Sequence, residues 1–190
     1  MFRVVICGGI GSGKSAVTRA LRSFGAKVVV ADEINAELLT DPNYIREIEH
    51  RFPSVVHNMV INKKELADLV YHDEKKRAEL MSIAHPLIFA KMLSLYPNEK
   101  VVFYEIPLFS KAEIKFDRVW YVDAPVEVRV RRIMARDGVD ESRARRIVEL
   151  QKGEDSFSSS ADLVLKNDGD LDRLRELVKQ EYCYILDRFS

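Results

Sequence analysis

An α/β fold with a parallel sheet covered by helices on both faces follows from three observations. Short, nearly continuous apolar and β-branched runs recur along the chain, longer stretches of helical apolar spacing separate them, and a glycine-rich turn joins the first run to the first helix. The opening run, Arg3–Cys7, predicts a strand, and Lys27–Ala31, Val101–Tyr104, Arg118–Val122 and Asp162–Lys166 complete a five-stranded parallel sheet. Between the first two strands, Val17, Leu21 and Phe24 line the inner face of a helix that ends at Gly25. Residues 33–97 are helical in pattern, contain no predicted strand, and are too long for a simple crossover, so they predict a helical subdomain. Its inward faces are Leu66, Leu69 and Val70, then Leu80, Ile83, Leu87 and Phe89, with Asp73-Glu74-Lys75-Lys76-Arg77 as a solvated opening turn. His85-Pro86 is expected to interrupt this pattern, because proline pushes its predecessor away from helical geometry. A helix pair over Val126–Asp137 and Glu141–Gln151 is joined at Asp137-Gly138-Val139-Asp140, and Ser156–Ser160 reads as a short flexible loop. The last helix runs from Leu171 to Phe189 with Leu174, Leu177, Val178 and Ile185 inward.

Composition narrows the function classes. The 190 residues suit one domain with an insertion, and 47% hydrophobic with 32% charged residues excludes disordered and fibrous chains. Thirty Lys and Arg balance thirty Asp and Glu, so neither nucleic acid nor an anionic membrane is an expected partner, and any anion site must be a local cluster. Apolar runs such as Val101–Tyr104 and Val119–Val122 fall far short of the ~20 residues of a membrane span. The opening Met1–Cys7 breaks into glycines before a signal peptide could form. Cys7 and Cys183 lie in apolar surroundings without C-x-x-C spacing, which fits a reducing cytoplasm rather than a disulfide framework or zinc site. Oligomeric state is not legible.

Gly8-Gly9-Ile10-Gly11-Ser12-Gly13-Lys14-Ser15 fits the phosphate-binding pattern G-x-x-x-x-G-K-[ST], directly after a strand and opening a helix. Glycines let successive N–H groups converge on phosphate oxygens, and the helix N-terminus adds its dipole. Lys14 then reaches the β- and γ-phosphates, while Ser15 offers a hydroxyl to Mg²⁺. Asp32 stands where the second strand ends, on the same carboxyl edge of the sheet as this loop. It has two readings: a carboxylate that orients an attacking hydroxyl, and an N-cap for the next helix. Seven arginines fall between Arg129 and Arg146. Arg129, Arg132 and Arg136 share one side of a helix and could converge on a polyphosphate, or form a solvated, ion-paired surface. Glu105 ends the third strand either as a Walker-B-like acid near a magnesium-bound water or as a structural carboxylate. His85 is a junction histidine unless a ligand claims it, and His50, His57 and His72 have no partners at metal spacing.

In this order the motifs resemble dephospho-CoA kinase, a family that completes coenzyme A synthesis by phosphorylating the ribose 3′-hydroxyl of dephospho-CoA with ATP. The likeness spans nearly the whole chain. It takes in the glycine-rich loop, Ala31-Asp32, Ile61-Asn62-Lys63-Lys64-Glu65-Leu66-Ala67 for I-D-R-x-x-L-A, His85-Pro86-Leu87-Ile88, and Glu105-Ile106-Pro107-Leu108-Phe109 for D-I-P-L-L-F-E. Arg132 and Arg136 with Asp137-Gly138, Arg146-Ile147 through Gln151, Ala161-Asp162-Leu163-Val164 and Asn167 follow. The resemblance implies a P-loop three-layer sandwich whose nucleotide-binding core comprises residues 1–32, 98–125 and 152–190, with 33–97 binding the CoA substrate and 126–151 forming a lid. It makes Asp32, Lys14 and Arg136 catalytic, and assigns ATP to Gly8 through Ala16, Arg132, Arg136 and Asn167. The acceptor falls to Asp32, Lys63, His85 and Arg146, and Mg²⁺ to Ser15 and, through water, Glu105. The chain departs from the family at Val30, commonly acidic there, at Ala16 in place of Thr, at Lys63 in place of Arg, in a shortened segment ending at Ser110, and in lacking basic residues over Ser156–Ser160. Two other activities share parts of this pattern: another small-molecule or nucleoside-monophosphate P-loop kinase, and a nucleotide-dependent switch. A G protein is disfavoured because no N-K-x-D motif occurs.

Overall fold

The structure is a computed structural model that describes residues 1–107 and 114–189. Its elements run β1 (Phe2–Cys7), α1 (Lys14–Ser23), β2 (Val28–Val30), α2 (Ala31–Leu38), α3 (Pro42–Arg51), β3 (Val56–His57), β4 (Val60–Ile61), α4 (Lys63–His72) and α5 (Glu74–Ser94). They continue through β5 (Val101–Glu105), β6 (Arg118–Asp123), α6 (Val126–Asp137), α7 (Glu141–Leu150), a 3-10 segment at Lys152–Ser159, β7 (Leu163–Lys166) and α8 (Leu171–Phe189). The chain forms two compact units: Met1–Val30 with the chain from Tyr96 onward, and Ala31–Leu95.

The first unit holds a parallel five-stranded sheet in the order β2-β5-β1-β6-β7. β1 and β5 are central, so their side chains are excluded from water on both faces, which is why Val4-Val5-Ile6 and Val101-Val102-Phe103-Tyr104 read as unbroken apolar runs. One face packs Val4, Ile6, Phe103, Trp120 and Val122 against Val17 and Leu21 of α1 and Leu174, Val178 and Ile185 of α8. Consecutive residues of these strands, such as Val5 and Val102, point to the opposite face and are equally buried. The α6–α7 hairpin has its own small core of Val130, Ile133, Ala144 and Val148, against which Ile10 of the glycine-rich loop packs.

In the second unit the starts of three helices are set by side chains that accept otherwise unpaired N–H groups: Asp41 for α3, Asn62 for α4 and Asp73 for α5. Bonds from the Lys76 and Lys75 amides hold the Asp73 carboxyl below its ordinary range. Four sequence expectations are corrected in the structure. Residues 33–97 contain a small antiparallel hairpin, β3–β4, closed by Asn58 and Met59, both at positive φ. α5 is continuous through His85 and Pro86, because Ala84, Ile88 and Met92 bury one stripe on either side of the single backbone bond that proline removes. Leu87 is exposed rather than inward. In the first unit Ser156–Ser160 is largely 3-10 helix, whose serine hydroxyls bond carbonyls three residues back: Ser156 to Gly153, Ser158 to Asp155 and Ser159 to Ser156. Of the two cysteines, Cys7 is buried in the sheet as expected while Cys183 is exposed on α8.

Candidate active site

The glycine-rich loop leaves β1 at Cys7 and enters α1 at Lys14, with Gly13 at φ 100° as its N-cap residue. That left-handed conformation disfavours any side chain, and a Cβ on Gly13 would overlap the Asn167 amide. Gly9 is required for a second reason: a Cβ there would run into the Arg129 guanidinium. Lys14 is 9% exposed, and its Nζ donates to the Gly8 and Gly9 carbonyls at 2.7 and 3.3 Å. Its ammonium thus sits inside the loop, while Ser15 beside it is exposed at the helix N-terminus.

Three elements far apart in sequence fasten this loop. Asn167, just beyond β7 and 1% exposed, donates from Nδ2 to the Ser12 carbonyl at 2.7 Å and anchors its own N–H on Asp123. Arg132 of α6 donates to the Gly11 and Ser12 carbonyls at 3.2 and 3.1 Å and to Asn167 Oδ1 at 3.0 Å. Gln151, at the end of α7, accepts the Ile10 N–H at 3.0 Å. Arg129, which helical spacing grouped with Arg132 and Arg136 around a polyphosphate, is instead buried at 3% exposure with its Nε on the Ile10 carbonyl and its Nη1 on Asp155. The spacing was right for a shared helix side, but the first turn of α6 lies against the loop and leaves Arg129 no route to solvent. Tyr121 of β6 donates to Asp155 Oδ1 at 3.0 Å, and burial, reinforced by that carboxylate, pushes its hydroxyl far up, so it remains a donor. Arg136 is exposed and pairs in bidentate fashion with Asp137, whose carboxyl the guanidinium holds low. Arg146 is exposed on α7, and Arg145 is tied to Glu127 and Glu141.

Glu105 closes β5, in register with Ile6 of β1 and Val30 of β2, and is buried at the carboxyl end of the sheet. Asp32, Lys63 and His85 belong to the second unit. α2 opens at Ala31, so Asp32 lies inside its first turn, exposed, and the N-cap reading is corrected: its carboxylate meets the helix dipole rather than capping an N–H as the residue before the helix. Lys63 opens α4 and is exposed, and His85 is half-buried on α5 with its ring 5.5 Å from that of Phe89. Ser110 lies outside the described residues.

The dephospho-CoA kinase family model matches residues 2–173. The chain belongs to the dephospho-CoA kinase family. It is 32% identical to the dephospho-CoA kinase of Coxiella burnetii over 98% of both chains, and 34% identical to that of Syntrophotalea carbinolica over 91% of this chain and 87% of that one. Among solved structures it is similar to TT1252 from Thermus thermophilus, with a TM-score of 0.83, 32% identity and 97% of each chain covered. The dephospho-CoA kinase from Campylobacter jejuni gives 0.66 at 25% identity over 96% of each chain. A deoxyadenosine kinase from M. mycoides, at 16% identity and a TM-score of 0.57, shares the P-loop kinase fold. Within the family's pattern, the roles of Arg129, Asp155 and Tyr121 escaped the sequence reading. Their partners are backbone carbonyls and each other, and no spacing along the chain announces such contacts.

Proposed function

We propose that this protein transfers the γ-phosphoryl group of ATP to the ribose 3′-hydroxyl of dephospho-CoA, yielding coenzyme A and ADP in the cytoplasm. The observation that carries the reading is a complete phosphate loop, with Lys14 inside it and Arg132 and Asn167 behind it, in a chain of the dephospho-CoA kinase family. Phosphoryl transfer demands alignment and charge stabilisation more than early deprotonation. Lys14 exchanges its loop carbonyls for phosphate oxygens, and Arg136 exchanges Asp137 for the triphosphate when the outer half of the α6–α7 lid, residues 126–151, closes. Asp32, two residues beyond β2, accepts the hydrogen bond of the 3′-hydroxyl and aims it. Residues 33–97 carry the acceptor, with Lys63, His85 and, from the lid, Arg146 as its contacts.

The donor set fits magnesium. The Ser15 hydroxyl and, through water, the Glu105 carboxylate are hard oxygen donors that would hold the ion beside the phosphate loop. Bound with ATP, the ion neutralises phosphate charge. Coupled ADP release decides the assignment. ADP should appear only when dephospho-CoA is present, with one coenzyme A per ADP. Turnover without acceptor would support the nucleotide switch, and stimulation by a nucleoside monophosphate alone would support a different kinase.

A further inference from the structure

Every carbonyl from Gly8 to Gly13 accepts a hydrogen bond, from Lys14, Arg129, Arg132, Asn167 or the backbone N–H groups of the loop and α1. Carbonyl oxygens repel a phosphate and N–H groups attract it, so the donors that stay in place when Lys14 moves to phosphate, Arg129 on Ile10, Arg132 on Gly11 and Ser12, and Asn167 on Ser12, hold the loop conformation that an anion needs. Among the side-chain donors, Arg129 has no part in the reaction proposed above. Its guanidinium nonetheless lies directly against Gly9, and its Nε bonds the Ile10 carbonyl at 2.9 Å. Nη1 bonds both oxygens of Asp155 at 3.1 and 3.3 Å, while the buried Nη2 has no hydrogen-bond partner among the described residues. Tyr121 completes the chain by donating to the same Asp155 oxygen. A buried arginine with an unfilled donor is costly to keep, and simple packing at this place would be served by an apolar side chain.

We propose that Arg129 is a positioning residue for nucleotide binding. Asp155 and Tyr121 hold its planar fork so that Nε fixes the Ile10 carbonyl, with the Asp155 carboxylate balancing its charge. Arg129 makes no contact with the acceptor and takes no part in the transfer of the proton or the phosphoryl group. The inference rests on the proposed function only in taking a nucleoside triphosphate as the occupant of the loop.

Arg129→Lys retains the charge but cannot reach Ile10 and Asp155 with one rigid fork. The dissociation constant of a non-hydrolysable ATP analogue with Mg²⁺, measured without acceptor, should rise roughly tenfold or more, the worth of a charge-assisted hydrogen bond. KM for ATP should rise in parallel, with kcat and the KM for dephospho-CoA within about twofold of the parent, the pattern of lost ground-state binding. Tyr121→Phe should weaken analogue binding less and add nothing in the Arg129→Lys background, because it acts through the same guanidinium. A folded Arg129→Lys protein with parental affinity overturns the proposal, as does a loss shared equally by both substrates. If Arg129→Lys fails to fold, Asp155→Asn carries the test: unchanged analogue affinity in that folded variant overturns the proposal, and a selective loss supports it. A parent that binds the analogue yet does not phosphorylate dephospho-CoA refutes the proposed function and leaves this inference standing.

Discussion

In the proposed function the chemistry of the acceptor falls on Asp32, an exposed carboxylate at the start of α2. Asparagine there keeps the shape and a hydrogen-bonding oxygen but loses the anion that aims the hydroxyl. We expect Asp32→Asn to lower kcat by about 10²–10⁴, the usual worth of a positioned acid–base group, with ATP affinity retained. Because Asp32 lies within the first turn rather than ahead of it, only its favourable interaction with the helix dipole is lost, about 0.3–1 kcal/mol. Asp32→Ala should therefore melt close to the parent as well. Kinetics and melting curves of both variants check this: a fully active asparagine variant removes Asp32 from the mechanism and directs attention to Glu105, buried at the end of β5.

At the scale of elements, the α6–α7 hairpin is unevenly attached. Its base is fastened through Arg129, Arg132, Gln151 and the packing of Ile10 on Val130, Ile133, Ala144 and Val148. Its turn, at Gly138, carries exposed polar residues and the Arg136–Asp137 pair. A closing lid must then bend in its outer half while the inner half stays with the loop. Hydrogen exchange should slow on adding an ATP analogue over about Met134–Arg143, with little change over Val126–Ile133, which is already held. Identical exchange with and without nucleotide throughout the hairpin would rule out closure.

For the molecule as a whole, stability resides in the sheet and the helices that cover it. Ile185 of α8 is wholly buried in the cluster that contains Val4, Phe103 and Trp120. Truncation to alanine should cost about 2–5 kcal/mol. For a chain of this size each kcal/mol lowers the melting temperature by roughly 2–4 °C. Both KM values should stay near those of the parent, since α8 has no place in the proposed chemistry. A melting curve beside steady-state kinetics tests this separation of scaffold from site.

The sequence alone determined the five strands of the sheet, the phosphate loop with Lys14 and Ser15, the extent of α6, α7 and α8 within a residue or so, and the family, because these depend on local periodicity and on motifs whose parts are neighbours in the chain. The hairpin β3–β4 escaped notice since its strands are two residues each and its turn is Asn58-Met59 rather than Asn-Gly, so neither alternation nor turn chemistry marks it. Pro86 misled in the opposite sense, because burial on both sides of it outweighed its local preference. What only the tertiary structure decided is the division of labour among arginines of one type on one helix: Arg129 buried behind the loop, Arg132 on its carbonyls, Arg136 exposed beside Asp137. Sequence records which side chains share a helix face, but a buried charge is placed by its partners, and Asp155, Tyr121 and Ile10 reach Arg129 from elements that only the folded chain brings together.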